Sequence, residues 1–206
     1  MNELNPKDAD IRSLADRALR DEALLARILD GQWSKDEVLR YNSHKVLVVL
    51  SDEHGELLYP KWDLFVELLL SGHTYRVLSA LVIIAYLTKV DRDNRFQGIF
   101  EDYYAILDGK TMIPAVYVAN NSGIIARAKP ELEPEITRRL LNIDSTHHEA
   151  GRKDLIKAGA IEAFDQYFDQ AKDKQGIADF VRQQLSSSSP KARKAAKEFL
   201  ARWGQG

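Results

Sequence analysis

Apolar positions recur along this chain with a period near 3.6 residues, and the gaps between periodic stretches carry helix stop and start signals. The first stretch, about Pro6 to Asp30, places Ile11, Leu14, Ala15, Ala18 and Leu19, then Leu24, Leu25, Ile28 and Leu29, on a helical stripe that Gly31 ends. Ser34 and Glu37 have capping-box spacing, with Trp33 poised to staple onto Val38, so a second helix is predicted to start there. Pro60 suits the first turn of a third, with Leu64, Phe65, Leu68 and Leu69 on one face before Ser71-Gly72. Thr74 to Thr88 reads as the most hydrophobic helix.

The rhythm continues to the end. Phe96, Ile99, Phe100, Tyr103, Tyr104 and Leu107 form an amphipathic face before Asp108-Gly109, and Met112 to Arg127 supplies its partner. Pro130 and Pro134 open a helix carrying Leu132, Ile136, Leu140 and Leu141, and Thr146 to Glu149 offers a second capping box before a helix to about Gln170. Gly176 to Leu185 and Ala192 to Trp203 close the chain, the latter capped by Ser189 with Pro190 in its first turn. Lys45 to Asp52 has the β-branched character of a buried strand. Glu37, Val38 and Leu39 run into it without a breaker, and no second strand follows at the spacing an alternating α/β fold needs, so helix is the better reading.

The second helix of each predicted pair has a recurring opening. Lys45-Val46, Arg76-Val77 and Thr111-Met112 follow one another by 31 and 35 residues, each preceding small and apolar positions, with looser members at Arg152-Lys153 and Arg193-Lys194. Such a repeat marks helix pairs that bury their stripes only against neighbours, and hence a stacked solenoid.

Within this repeat, Arg76 to Leu81 resembles the core of a HEAT second helix, and Ala126 to Leu132 resembles a HEAT inter-repeat junction. Ser189 to Ala196 is similar to the final capping helix of archaeal HEAT-like proteins. The resemblance covers about Tyr59 to Trp203; Thr111 in place of arginine and Pro114 inside a helix depart from the pattern, and Pro114 is expected to kink its helix. The resemblance implies an all-α, right-handed α-α superhelix of the HEAT/ARM kind with about five stacked pairs. It makes one helical-repeat domain over 1–206, with an N-terminal pair over 1–52 and HEAT-like pairs over 58–203 ending in a C-terminal cap. It further implies a protein-binding module and brings no catalytic residues.

Charge and composition narrow the function. The 29 basic and 31 acidic side chains leave a net charge of -2, so no overall field draws the chain to nucleic acid or an anionic membrane. The chain has no cysteine, which removes disulfides, thiolate metal sites and cysteine nucleophiles. Val77 to Leu87 is too short for a membrane span, and Met1 to Ile11 is polar rather than signal-like, so a cytoplasmic, non-membrane protein is expected.

Candidate chemistry is sparse. His147-His148-Glu149 is the most metal-like cluster, but adjacent residues on a helix point about 100 degrees apart, so a helix start is the better reading. Asp52 to Glu56 lacks the alternation of a calcium loop, and Glu101, Asp102 and Asp108 near Tyr103 and Tyr104 have no fixed geometry for acid-base work. No cofactor and no metal are expected. The leading expectation is a non-catalytic module that presents a concave helical surface to a protein, with Arg76, Ile83, Tyr86, Tyr117 and Asn121 as the contact face. The alternative is nucleic-acid binding, on the pattern of the HEAT-like DNA alkylation-repair glycosylases, through Arg138, Arg139, Arg152, Lys153 and Lys157. Lys191, Arg193, Lys194, Lys197 and Arg202 crowd the last helix, where a solvated cap explains them equally well.

Overall fold

The computed structural model describes residues 4–204; residues 1–3 and 205–206, the ends of the expected domain, lie outside the described residues. The described residues are all-helical, with no strand among them. They form two compact units, the first ending at Asp93 and the second beginning at Asn94.

The first unit contains α1 (Ile11–Ala18), α2 (Glu22–Gly31), α3 (Glu37–Glu53), α4 (Gly55–Leu58), a 3-10 turn at Tyr59–Lys61, α5 (Trp62–Leu70), α6 (Thr74–Leu87) and a 3-10 turn at Thr88–Val90. The expected single helix from Pro6 to Asp30 is therefore two. Asp21 interrupts it because its carboxylate accepts the amide of Leu24 at 2.9 Å and starts a new helix, as Asp10 does for Ser13 at the same distance. Lys45 to Asp52 lies inside α3, which removes the strand alternative. The cap of α3 is Asp36 rather than Ser34: Asp36 accepts from Val38 and Leu39 at 2.9 and 3.1 Å, while the Ser34 hydroxyl accepts from the Asp36 amide. A carboxylate is the stronger acceptor for helix-end amides, so the capping box yields to it. Pro60 sits in the 3-10 turn ahead of α5, not in α5 itself. After α5 the chain reverses at Gly72, whose φ of 68° is left-handed backbone that glycine adopts without penalty. Helix α3 packs on α1, α2 and α6, and α5 packs on α6.

The second unit contains α7 (Arg95–Ala105), a 3-10 turn at Ile106–Asp108, α8 (Met112–Ala128), α9 (Glu133–Leu141), a 3-10 turn at Ile143–Ser145, α10 (Ala150–Tyr167), α11 (Lys174–Gln183), a 3-10 turn at Gln184–Ser186 and α12 (Pro190–Trp203). Pro114 is the third residue of α8, where the backbone amide has no helical acceptor, so no helical hydrogen bond is lost there and that cause of the expected kink is removed. The second expected capping box is also absent. Thr146 Oγ1 donates to the carbonyl of Ile143, the amide of His147 is held by Asp108, and Glu149 occupies the N-cap without a side-chain bond. Ser189 caps α12 as expected, accepting from Ala192. Helix α10 packs against α8 and then α12. The α8–α10 crossing is close: a Cβ on Gly159 would stand 2.3 Å from Asn120 Oδ1 and 3.3 Å from the Val116 carbonyl oxygen.

Several long-range polar bridges within each unit join residues about one helix pair apart. In the first unit Tyr59 reaches Asp91, His44 reaches Ser79 and Lys89 reaches Asp52, at separations of 32, 35 and 37 residues. In the second, Lys129 reaches Asn94, Arg202 reaches Asp165 and His147 reaches Asp108, at 35, 37 and 39.

Candidate functional site

The expected contact face does not assemble as a stripe. Ile83 is 0% exposed and cannot meet a partner; as a helix packed by both α3 and α5, α6 buries Ser79, Ala80, Leu81, Ile83, Ile84, Ala85 and Leu87, more than one stripe. Tyr86 is half-buried under Lys89, whose ammonium lies 4.7 Å from the ring centroid and pairs with Asp52 at 2.6 Å. Asn121 is buried on α8 and donates to the Tyr103 hydroxyl at 3.5 Å. Tyr117 is exposed on the same helix as Ile113. Of the expected residues, Arg76 leads to a site.

The Arg76 guanidinium lies over the Trp33 ring, 4.4 Å from its centroid. One turn away the Arg40 guanidinium lies 5.2 Å from the centroid of Tyr75, and Lys45 lies 4.5 Å from that of Tyr41 on the next turn of α3. Three cations are thus each seated on an aromatic face across the α2–α3 link, the N-terminal half of α3 and the start of α6. Tyr41 is 57% and Tyr75 63% exposed, with Leu70 at 61% on the end of the neighbouring α5. Among the described residues none of Arg40, Lys45 and Arg76 has a carboxylate within ion-pair distance. At the other end of the unit, by contrast, Arg12 pairs with Glu53, Lys89 with Asp52 and Arg92 with Glu56.

Beneath this surface lies a buried polar network. Ser79 Oγ donates to Gln32 Oε1 at 2.6 Å, so the His44 Nδ1 at 2.9 Å from the same oxygen is the donor in that contact. Burial, and then the positive charge of Lys45, pushes the His44 pKa down to about 4, so the ring is neutral. The pair is unsuited to nucleophilic catalysis. Ser79 is 2% exposed and its proton points to Gln32, not to the imidazole that would have to remove it. The network instead fixes the relative placement of α3 and α6 and so of the cations above. Gln32 Nε2 and Arg76 Nε are buried donors with no acceptor among the described residues.

In the second expected cluster Arg138, Arg139 and Lys157 are matched by carboxylates. Arg138 and Arg139 both engage Glu135, Arg139 also donates to Glu101 at 2.8 and 2.9 Å, and its guanidinium lies 5.6 Å from the Phe100 centroid. Arg138 first, then Arg139, holds the Glu135 carboxyl at about 2. Lys157 pairs with Asp144 at 2.6 Å and Lys153 donates to the Asp144 carbonyl, leaving Arg152 exposed. His147 bonds Asp108 through both amide and ring, while His148 is buried and donates to the Leu107 carbonyl. No group of three or more metal-ligating side chains occurs among the described residues. Tyr103 and Tyr104 are buried, with their hydroxyls raised by desolvation, whereas Glu101 and Asp102 face solvent, so that grouping brings no acid-base pair together. A shallow cleft of about 430 Å³ is lined by Glu133, Thr137, Arg138 and Lys172; the Glu133 carboxylate there already accepts from Thr137 and the Lys172 amide. No described helix is long and apolar enough to cross a membrane.

No protein family, characterised protein or solved structure matches this chain.

Sequence reasoning reached Arg76 but missed Trp33, Arg40, Tyr41, Lys45 and Tyr75. One signal was available: Tyr41 and Lys45 stand four apart, the spacing at which helix side chains meet. The Arg40–Tyr75 and Arg76–Trp33 pairings join segments far apart in the chain, and no local pattern encodes them.

Proposed function

We propose that this protein is a non-catalytic module that binds another protein through the cation-aromatic surface of its first unit, on a scaffold of about five helix pairs stacked as a right-handed HEAT/ARM-like superhelix. The observation that carries the reading is the set of three cations with no carboxylate partner among the described residues, each resting on an exposed or half-buried aromatic ring. Arginine, tyrosine and tryptophan dominate the energetics of protein interfaces, and a rigid aromatic presents large area at small entropic cost. The stacked-pair scaffold draws support from the band of one-pair separations among the polar bridges and from the packing of α3 on α6 and of α8 on α10 and α10 on α12.

The test is affinity capture from the native lysate with nuclease present, comparing the unaltered chain with Tyr75→Ala and Arg76→Ala. Proteins retained by the former and lost with both variants support the reading. Recovery of nucleic acid instead, lost with Arg152→Glu and Lys153→Glu, would replace it with nucleic-acid binding.

A further inference from the structure

Resting on the protein-binding reading, we infer that the occupant of this surface is an acid-rich protein segment that carries an aromatic or aliphatic side chain among its carboxylates. Arginine and lysine side chains donate and never accept, so Arg40, Lys45 and Arg76, with no carboxylate partner among the described residues, call for acceptor oxygens. A partner must bring acceptor oxygens, and charge-assisted bonds to carboxylates are the strongest available to a guanidinium. Against those cations the exposed rings of Tyr41 and Tyr75 offer apolar area, which a purely ionic ligand leaves unused. Because each cation is already seated on a ring, little side-chain freedom remains to be lost when a carboxylate arrives.

The same features argue against a nucleic-acid strand. Affinity for a phosphate backbone is built from about 6–10 neutralised phosphates. Here three cations with no carboxylate partner among the described residues, of which Arg40 also donates to the Ser34 carbonyl at 2.8 Å, stand beside the exposed acids Asp36 and Glu37, and the chain as a whole is negative. An acidic segment with a few carboxylates at the right places meets the three cations and passes the two acids.

The test is an anisotropy titration of the full chain with labelled random copolymer of glutamate and tyrosine, alongside polyglutamate, a lysine and tyrosine copolymer, and oligothymidylate. The expected order is glutamate-tyrosine copolymer tightest, polyglutamate weaker, and no binding of the lysine polymer. Tyr75→Ala and the pair Arg40→Gln with Arg76→Gln should each weaken the copolymer about tenfold, whereas Arg152→Gln should leave it unchanged. Tyr75 is exposed, so its variant keeps the fold, which a thermal melt verifies. Equal binding of the copolymer by the Arg40 and Arg76 variant, or no binding at all, overturns the inference. If lysate proteins are still captured through Tyr75 in that event, the protein-binding reading survives. Tighter binding of oligothymidylate, lost with the arginine variant, overturns both. A concentration-dependent dimer in sedimentation that the variants abolish makes a second copy the occupant and overturns the acidic-segment inference alone.

Discussion

His44 Nδ1 lies 2.9 Å from Ser79 Oγ, a residue 35 positions further along the chain, and this contact ties α3 to α6 directly beneath the aromatic surface. The imidazole is neutral there, with its pKa lowered from 6.5 to about 4, chiefly by burial. In the unfolded chain the same ring takes a proton near 6.5. The folded state therefore holds its full stability above that pH and loses it as pH falls toward 4, because the unfolded chain binds the extra proton first. The loss at about pH 5 is about 2 kcal/mol. Denaturant unfolding at about pH 7 and pH 5 measures it, and His44→Gln should flatten the slope in that interval. Glu135, held at about 2, titrates below this window and does not confuse it.

The α8–α10 crossing depends on the absence of a side chain at Gly159. Its Cβ would collide with Asn120 Oδ1, a flexible tip, and press on the Val116 carbonyl, which is backbone and cannot yield easily. Gly159→Val is expected to cost about 1–3 kcal/mol despite the better helix propensity of a non-glycine residue. Asn120→Ala in the same chain should recover part of that loss, since it removes the collision at the tip and leaves the backbone contact. Equal destabilisation with and without Asn120→Ala, by chemical denaturation, would place the strain at Val116.

Tyr59 closes the end of the first unit. Its hydroxyl donates to Asp91 at 2.7 Å and receives the Asp93 amide at 3.3 Å, and burial with the Asp91 contact pushes its pKa up to about 12. Tyr59→Phe keeps the ring packed on Trp62 but withdraws a partner from the buried Asp91, so it should lower stability by about 1–2 kcal/mol. Hydrogen exchange should locate the weakening at 88–93 rather than across the unit.

Arg139 joins α9 to α7 by donating to Glu101 and Glu135 at once while covering Phe100. Replacement by lysine should not restore what alanine removes, because a single ammonium cannot serve two carboxylates in the guanidinium's planar geometry. Each variant should lose about 1 kcal/mol in thermal or denaturant unfolding. Neither should change retention on immobilised oligonucleotide, since this arginine's charge is already matched within the unit.

The local chemistry of this sequence was sufficient for the helices themselves. The 3.6-residue spacing around Phe65 and Leu68, the run through α6, and Ser189 with Pro190 at α12 depend on neighbours within a turn or two, and those neighbours are adjacent in the chain. Helix starts with competing acceptors were harder to read: Asp36 displaced Ser34, and Asp21 divided one expected helix, because a cap is decided by which oxygen reaches the free amides. Surface and core could not be separated on α6 by periodicity, since a helix packed on two sides buries Ile83 as completely as Leu81. The same holds for charge. Arg138 and Arg76 look equivalent as letters, yet one is bound to Glu135 on its own helix while the other rests on Trp33 from a different segment. Helix formation was thus determined by the sequence alone, through short-range spacing. Which side chains remain free to bind was decided only by the tertiary structure, because burial, and contacts such as Arg139–Glu101 and Arg76–Trp33, depend on partners far along the chain.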